Sequence, residues 1–343
     1  MKIIRFTCAL VSIYIILHFL SLAKPYILPL AIATVICFLI VEIAEFYQSL
    51  AIRRINLPGA VTMGLSMITI CAVIFLVVSV INDNVQEVIK VAPTYQEKLT
   101  TLIEPILDKI GIKDFPGLTD TLKTLDIKNT LSSLTLVVRK TTSNIGMIII
   151  YSIFILLEYR LLKNKLFLVF EKEGIGTIFQ NVNRDIRKYV IIKGSSSLAT
   201  GMLSYAVLSV IGVDFAALWA MLIFLLNFIP TIGSILAVIP PILLSLVQFE
   251  GLAKFFIVLS SLISIQVLIG NVLEPRLAGR SLNLSPLVIL LSLVFWGKIW
   301  GIVGMFLCVP LTVILNIVLA NFDSTRSIAI MLSANGKIVK ERP

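Results

Sequence analysis

Gly270-Asn271-Val272-Leu273-Glu274-Pro275-Arg276-Leu277-Ala278-Gly279-Arg280 stands between two apolar runs, residues 255–269 and a second that begins at Pro286. Two guanidinium groups, a carboxylate, an amide, two glycines and a proline crowd this stretch. Charge next to a bilayer is costly, so it sits at an interface, lines a cavity or serves a function. The composition around it sets the class. Hydrophobic residues make up 58% of the 343 and charged residues 14%, with a mean hydropathy of +1.02. A soluble domain would be about half apolar and a quarter charged. The chain is therefore read as an all-α, polytopic integral membrane protein.

The net charge of +10 does not point to nucleic acid, because the basic residues fall between apolar runs, where they set topology. Cys8, Cys37, Cys71 and Cys308 lie inside apolar runs without disulfide or metal spacing. The sequence contains no Walker A motif and no metal-ligand cluster, and its single histidine, His18, lies on an apolar segment. No cofactor, no metal and no enzymatic activity are expected.

A span needs roughly 20 apolar residues. Residues 6–23, 26–43 and 58–81 form an N-terminal three-span unit, 1–82. Ser21-Leu22-Ala23 resembles a signal cleavage site, but Lys24-Pro25 is a poor start and more spans follow. Residues 83–141 are polar, with Leu99, Leu102, Ile103, Ile106, Leu107 and Ile110 at helical spacing. They predict a small extramembrane domain of amphipathic helices, broken at Pro93, Pro105 and Pro116. Residues 142–194 hold a fourth span, 145–162, and a basic loop. The fifth span, 190–211, is rich in Gly194, Ser195, Ser196, Ser197 and Gly201, small residues that suit helix–helix packing. Basic residues at 53–54, 160–193, 276–280 and in the tail, 323–343, place both termini in the cytoplasm.

Threading then constrains residues 195–322. Residues 255–273 must cross inward to deliver Arg276 to the cytoplasm. Residues 216–247, interrupted at 227–233, must return to the face they left. The same holds for 286–319, interrupted at 296–301. This gives about six full spans plus two re-entrant hairpins, or eight or more spans if each hairpin is a pair of short crossings. Broken helices at matched positions in inverted arrangement are a pointer to a transport site.

Candidate binding groups follow from the breaks. Asn227 with Pro230, Thr231 and Gly233 offers an amide, a hydroxyl and freed carbonyls at the first tip. Gln266 and Asn271 extend this set toward a small polar metabolite. Glu274, Arg276 and Arg280 form either an ion site or a latch at the cytoplasmic interface. Gly270, Pro275, Gly279, Gly301, Gly304 and Pro310 read as hinge or packing residues.

At these residues the chain resembles a known family. Leu225 to Ser234 with Ile239-Pro240-Pro241 is similar to the first hairpin of the autoinducer-2 exporter (AI-2E) family. Gly270 to Arg276, Gly279 to Leu282, Leu284 and Pro286 resemble its signature loop, and Gly301 to Met305 with Val309-Pro310-Leu311 completes the pattern. The resemblance implies export of a small polar molecule, for the best-known members the quorum-sensing polyol autoinducer-2. It also implies residence in the bacterial cytoplasmic membrane and assembly as a homopentamer. Other members look like Na⁺(Li⁺)/H⁺ antiporters, which would make H⁺ or Na⁺ a partner beside the lipid bilayer. Thr231 stands where relatives often carry a larger polar or aromatic residue. A non-transporting envelope scaffold is the third function class. The irregular backbone at membrane depth argues against it.

Overall fold

The computed structural model describes residues 2–50, 58–110, 145–170, 175–278, 284–322, 325–334 and 336. Among these the chain is helical almost throughout and contains no strand. The helices are α1 (Lys2–Leu22), α2 (Lys24–Leu50), α3 (Gly59–Ile110), α4 (Ile145–Phe170), α5 (Ile175–Ile211), α6 (Ala216–Leu226) and α7 (Ile232–Gln248). Then come α8 (Leu252–Gln266), a π turn (Val267–Leu273), α9 (Glu274–Ala278), α10 (Pro286–Trp300), α11 (Ile302–Asn321) and α12 (Arg326–Leu332). The physical reason is that a bilayer offers no water to the backbone, so apolar runs close their hydrogen bonds within the segment.

Among the described residues, five stretches are long and apolar enough to cross a membrane: Lys24–Ser49, Gly59–Val91, Arg184–Ile211, Leu252–Leu277 and Ile302–Ala320. The expected spans that begin at Phe6 and Ile145 are helices as well, α1 and α4. Only Ala23 separates α1 from α2, and Pro25 sits in the first turn of α2, where a missing N–H costs nothing.

Three expectations need correction. Pro93 and Pro105 do not break the chain; α3 runs through both for 52 residues. Pro93 is exposed, and a carbonyl released on an exposed face is satisfied by water. Pro116 and the rest of 111–144 lie outside the described residues. The basic stretch 160–193, expected as a loop, is helical wherever it is described: α4 continues to Phe170 and α5 starts at Ile175. Lys and Arg are good helix formers, so basic composition alone does not end a helix. Finally, the second hairpin is interrupted only at Gly301, since α10 extends to Trp300.

Helix length bears on the hairpins. At about 1.5 Å per residue, α6 and α7 reach roughly 17 and 26 Å, and α10 and α11 roughly 23 and 30 Å. The hydrocarbon core is about 30 Å thick. Both arms of the first hairpin fall short of it, whereas α11 matches it.

The chain divides into two compact units. One comprises Met1–Met67, Asn144–Lys193 and Leu277–Pro343, the other Ile68–Ser143 and Gly194–Arg276. In the first unit α2 packs on α4 and α10 on α11. Ala33, Cys37, Ile40 and Ala44 recur at helical spacing as the buried face of α2. Here too the tail returns: Ser285 N–H donates to the Leu332 carbonyl at 3.0 Å, and Leu284 bridges Ser333. In the second unit Leu208, Trp219, Ile223, Ala237, Val238, Val258 and Leu262 form the core between α5, α6, α7 and α8. Ile81, Val85 and Val88 of α3 pack on Leu218 of α6.

Candidate functional site

The first hairpin reverses in five residues. After α6, Phe228 N–H donates to the Leu225 carbonyl at 3.2 Å and Ile229 N–H to that of Leu226 at 2.9 Å. Pro230 then allows no further donor. Ile232 N–H donates to the Pro230 carbonyl at 2.6 Å across Thr231, which holds φ 61° and ψ −62°. This is the γ-turn of positive φ, a rare and strained form, here carried by a β-branched residue. Gly233 closes the tip. A Cβ there would lie 1.9 Å from the Leu226 carbonyl oxygen.

The polar groups of the tip turn toward α5. Asn227, 2% exposed, donates from Nδ2 to the Ser197 hydroxyl at 3.0 Å. The neighbouring Ser196 donates to Glu274 Oε2 at 3.2 Å. Two adjacent serines thus hold the hairpin tip and the start of α9. Thr200 and Ser204 continue the buried polar face of α5, and Thr200 returns its hydroxyl to the Ser196 carbonyl at 2.8 Å. Gly201 permits the approach, since a Cβ there would meet Phe224 Cβ at 2.9 Å and the Ala220 carbonyl oxygen at 3.3 Å. Lipid tails are as apolar as leucine, so such close packing and hydrogen bonding replace the hydrophobic drive between membrane helices.

The 270–276 stretch is not a loop. The chain passes from α8 to α9 through the π turn, where Glu274 N–H reaches back to the Ile269 carbonyl. A π turn widens the helix by one residue and is frequent at functional sites. It precedes Pro275, which could not have continued the ladder. Gln266 sits at its start, one turn after the buried Leu262, and its Nε2 is buried with no hydrogen-bond partner among the described residues. Val258, Leu262 and Gln266 follow one face of α8 toward the core of this unit.

The sequence-predicted residues therefore separate. Asn227 and Glu274 converge on α5, Gly233 is buried at the tip and Gln266 points inward. Thr231, Asn271, Pro275 and Arg276 are exposed, and Pro230 and Gly270 are half-buried. Asn271, read with Gln266 as a candidate binding residue, is on the exposed side of the π turn. Gly279 and Arg280 lie outside the described residues. Ser196 and Ser197 were read only as small packing residues. Their periodicity with Thr200, Gly201 and Ser204 is the signal that marks a polar face.

The base of the first hairpin is tied as well. Gln248, at the end of α7, donates to the Gly212 carbonyl at 2.8 Å and accepts from Asp214 N–H at 2.9 Å. Trp219 Nε1 donates to the Asp214 carbonyl at 3.0 Å, and Tyr95 of α3 donates to the Asp214 carboxylate at 2.5 Å. Burial and then the Asp214 carboxylate push the Tyr95 hydroxyl up to about 12. In the first unit Arg187 of α5 donates from Nε to Glu42 Oε2 at 2.6 Å and from Nη2 to Glu45, a fork across two carboxylates of α2.

The second hairpin reverses at Gly301, φ 69° and ψ −147°. Gly304 packs against the end of α10, where a Cβ would lie 2.1 Å from the Trp296 carbonyl oxygen. Gly304 and Pro310 are both buried. Trp300 donates from Nε1 to the Leu20 carbonyl of α1 at 3.2 Å.

The sequence has counterparts among known proteins. The model of the AI-2E family transporter matches residues 6–323. The chain belongs to the AI-2E transporter family. Within that family it is 33% identical over 315 residues to the AI-2 transport protein TqsA of Escherichia coli strain K12, covering 90% of this chain and 88% of the relative. It is 31% identical over 344 residues, 96% of each chain, to a Haemophilus influenzae relative, and 32% over 331 residues to one from Borreliella burgdorferi, 95% of this chain and 90% of that one. The names of these two suggest transport and give no substrate. With its apolar helices, this AI-2E family protein is a multi-pass membrane transporter.

Proposed function

We propose that this chain is a secondary exporter of a small hydroxylated metabolite, autoinducer-2 or a close chemical relative. It would act in the cytoplasmic membrane with both termini inside, where the short basic segments orient it. The observation that carries the reading is the buried polar face of α5, with Asn227 on Ser197 beside a strained hairpin tip. Hydroxyls and an amide can exchange their mutual bonds for those of a polyol without creating a buried charge. The likeness to TqsA, whose name gives AI-2 as its cargo, supports the substrate class. Extracellular autoinducer-2 should accumulate faster in cells that express the protein than in cells lacking it, and Asn227→Leu should remove the difference. Equal accumulation in both strains would sink autoinducer-2 as cargo.

Glu274 supports a second reading, Na⁺/H⁺ exchange. It is a half-buried carboxylate beside a π turn, at the end of a stretch long enough to cross a membrane. Everted vesicles should then show Na⁺-dependent dequenching of a pH dye that Glu274→Gln abolishes. An unchanged response in that variant rules Glu274 out as the coupling group.

A further inference from the structure

Lys24 opens α2, which is long and apolar enough to cross a membrane, so its ammonium stands where that span meets the bilayer surface. The second hairpin brings its tip to the same point. Lys24 Nζ lies 3.9 Å from where a Cβ on Gly301 would be, and Trp300 donates from Nε1 to the Leu20 carbonyl, near the end of α1, at 3.2 Å. Lys298 is exposed on the turn that closes on Gly301, whose N–H donates to the Gly297 carbonyl at 2.8 Å. All of these residues belong to the first unit. The elements that build this corner hold no carboxylate to answer the two ammoniums. The first acidic residue of the chain is Glu42, roughly 27 Å of helix away from Lys24, and none lies between Pro286 and Phe322. Uncompensated positive charge beside hydrocarbon is costly.

The flanking surface says what kind of anion answers it. Phe19 and Leu22 at the end of α1, Tyr26 at the start of α2 and Phe295 of α10 are all exposed. Trp296 packs on Trp300 with ring centroids 5.1 Å apart. Tryptophan and tyrosine favour the headgroup level of a bilayer. Ammoniums bordered by exposed apolar side chains match a molecule with a negative head and a hydrocarbon body. We propose that the tip of the second hairpin and the α1–α2 elbow form a binding site for an anionic phospholipid. Lys24 and Lys298 hold its phosphate, and its acyl chains lie along the exposed faces of α1 and α10. This site is distinct from the Asn227–Ser197 cluster, and its test reads binding without flux, so it stands or falls apart from the export reading.

The test uses the full-length protein, delipidated in detergent, and follows its thermal unfolding midpoint against added dioleoylphosphatidylglycerol. Dioleoylphosphatidylcholine, with the same chains and no net charge, and sodium phosphate, with no chains, are the controls. Phosphatidylglycerol should raise the midpoint saturably and above both. Lys24→Gln and Lys298→Gln should each weaken the apparent affinity about fivefold, the loss expected for one basic side chain at an anionic lipid surface. Arginine at both positions should retain binding. Lys254→Gln, which removes an exposed lysine of the second unit, should leave it unchanged. A response to phosphatidylglycerol no larger than that to phosphatidylcholine overturns the proposal, as does an undiminished response in the double glutamine variant or an equal loss in Lys254→Gln. Sodium phosphate raising the midpoint as far as the lipid overturns it too, since the corner would then take a free ion. Should the double variant fail to fold, the two single variants decide on the same terms.

Discussion

In the first hairpin the chain reverses through Thr231 at φ 61°, and in the second through Gly301 at φ 69°. Both tips then use a buried glycine on the returning arm, Gly233 or Gly304, to lie against a carbonyl at the end of the outgoing arm. The closures are alike, but their polar groups are arranged differently. The second hairpin satisfies Ser292 and Thr312 within itself, at Cys308. The first sends Asn227 out to Ser197 and places a β-branched side chain where glycine is favoured. Strain that persists at one tip and is absent from its counterpart points to function at the strained one. The first hairpin is thus the better candidate for the element that touches cargo.

Substitutions can break or sharpen this comparison. The largest effect should come from Gly233→Ala and Gly304→Ala, whose Cβ atoms would meet carbonyl oxygens at 1.9 and 2.1 Å. Each should cost more than about 4 kcal/mol and leave little folded protein. A monodisperse gel-filtration profile at normal yield for either variant would show that its tip does not close as described.

Next, Asn227→Leu should destabilise by about 1–3 kcal/mol, since Ser197 loses its buried partner. Ser292→Ala should cost nearer to about 1 kcal/mol, because Thr312 still serves the Cys308 carbonyl. Chemical denaturation in matched detergent tests the order, and a larger loss for Ser292→Ala reverses the contrast. Thr231→Gly should be stabilising by roughly 1 kcal/mol as the turn strain is released. Its transport rate is the sharper readout: a thermally firmer but slower protein fits a strained functional tip, and an unchanged rate removes that inference.

The smallest effect concerns the base. Tyr95→Phe should lower the unfolding midpoint by the equivalent of about 0.5 kcal/mol, given the exposure of the pair. The hydroxyl's folded value of about 12 lies above its ordinary 10.0. The contribution of the Tyr95 link is therefore fully present below about pH 10 and is lost between about 10 and 12. The wild-type minus Tyr95→Phe difference in midpoint should shrink over that window, and a difference constant to pH 12 contradicts the link.

Much of the helical framework was legible because a lipid-facing chain spells out its spans in length and hydropathy. The two tips were legible from Pro230, Gly233, Gly301 and Gly304. The 270–278 stretch was not, since Gly270, Asn271 and Pro275 have the composition of a loop. The π turn keeps them helical by supplying the irregularity that Pro275 requires. Nor was the partnership of Ser196 and Ser197 with Glu274 and Asn227, because serine in a membrane helix reads equally as a small packing residue. A partner 30 or 78 positions away leaves no local trace.

The π turn also sets a reading frame for everything after it. It amounts to an α-helix with one surplus residue, and each residue of an α-helix turns the chain by about 100°. Deleting a single residue between Val267 and Leu273 would return the ladder to α spacing and barely shorten the rod. It would also swing the Glu274 carboxylate about a quarter-turn off its bearing on Ser196. Length in this segment is therefore a directional signal, so a one-residue gap there is a larger change than almost any substitution within it.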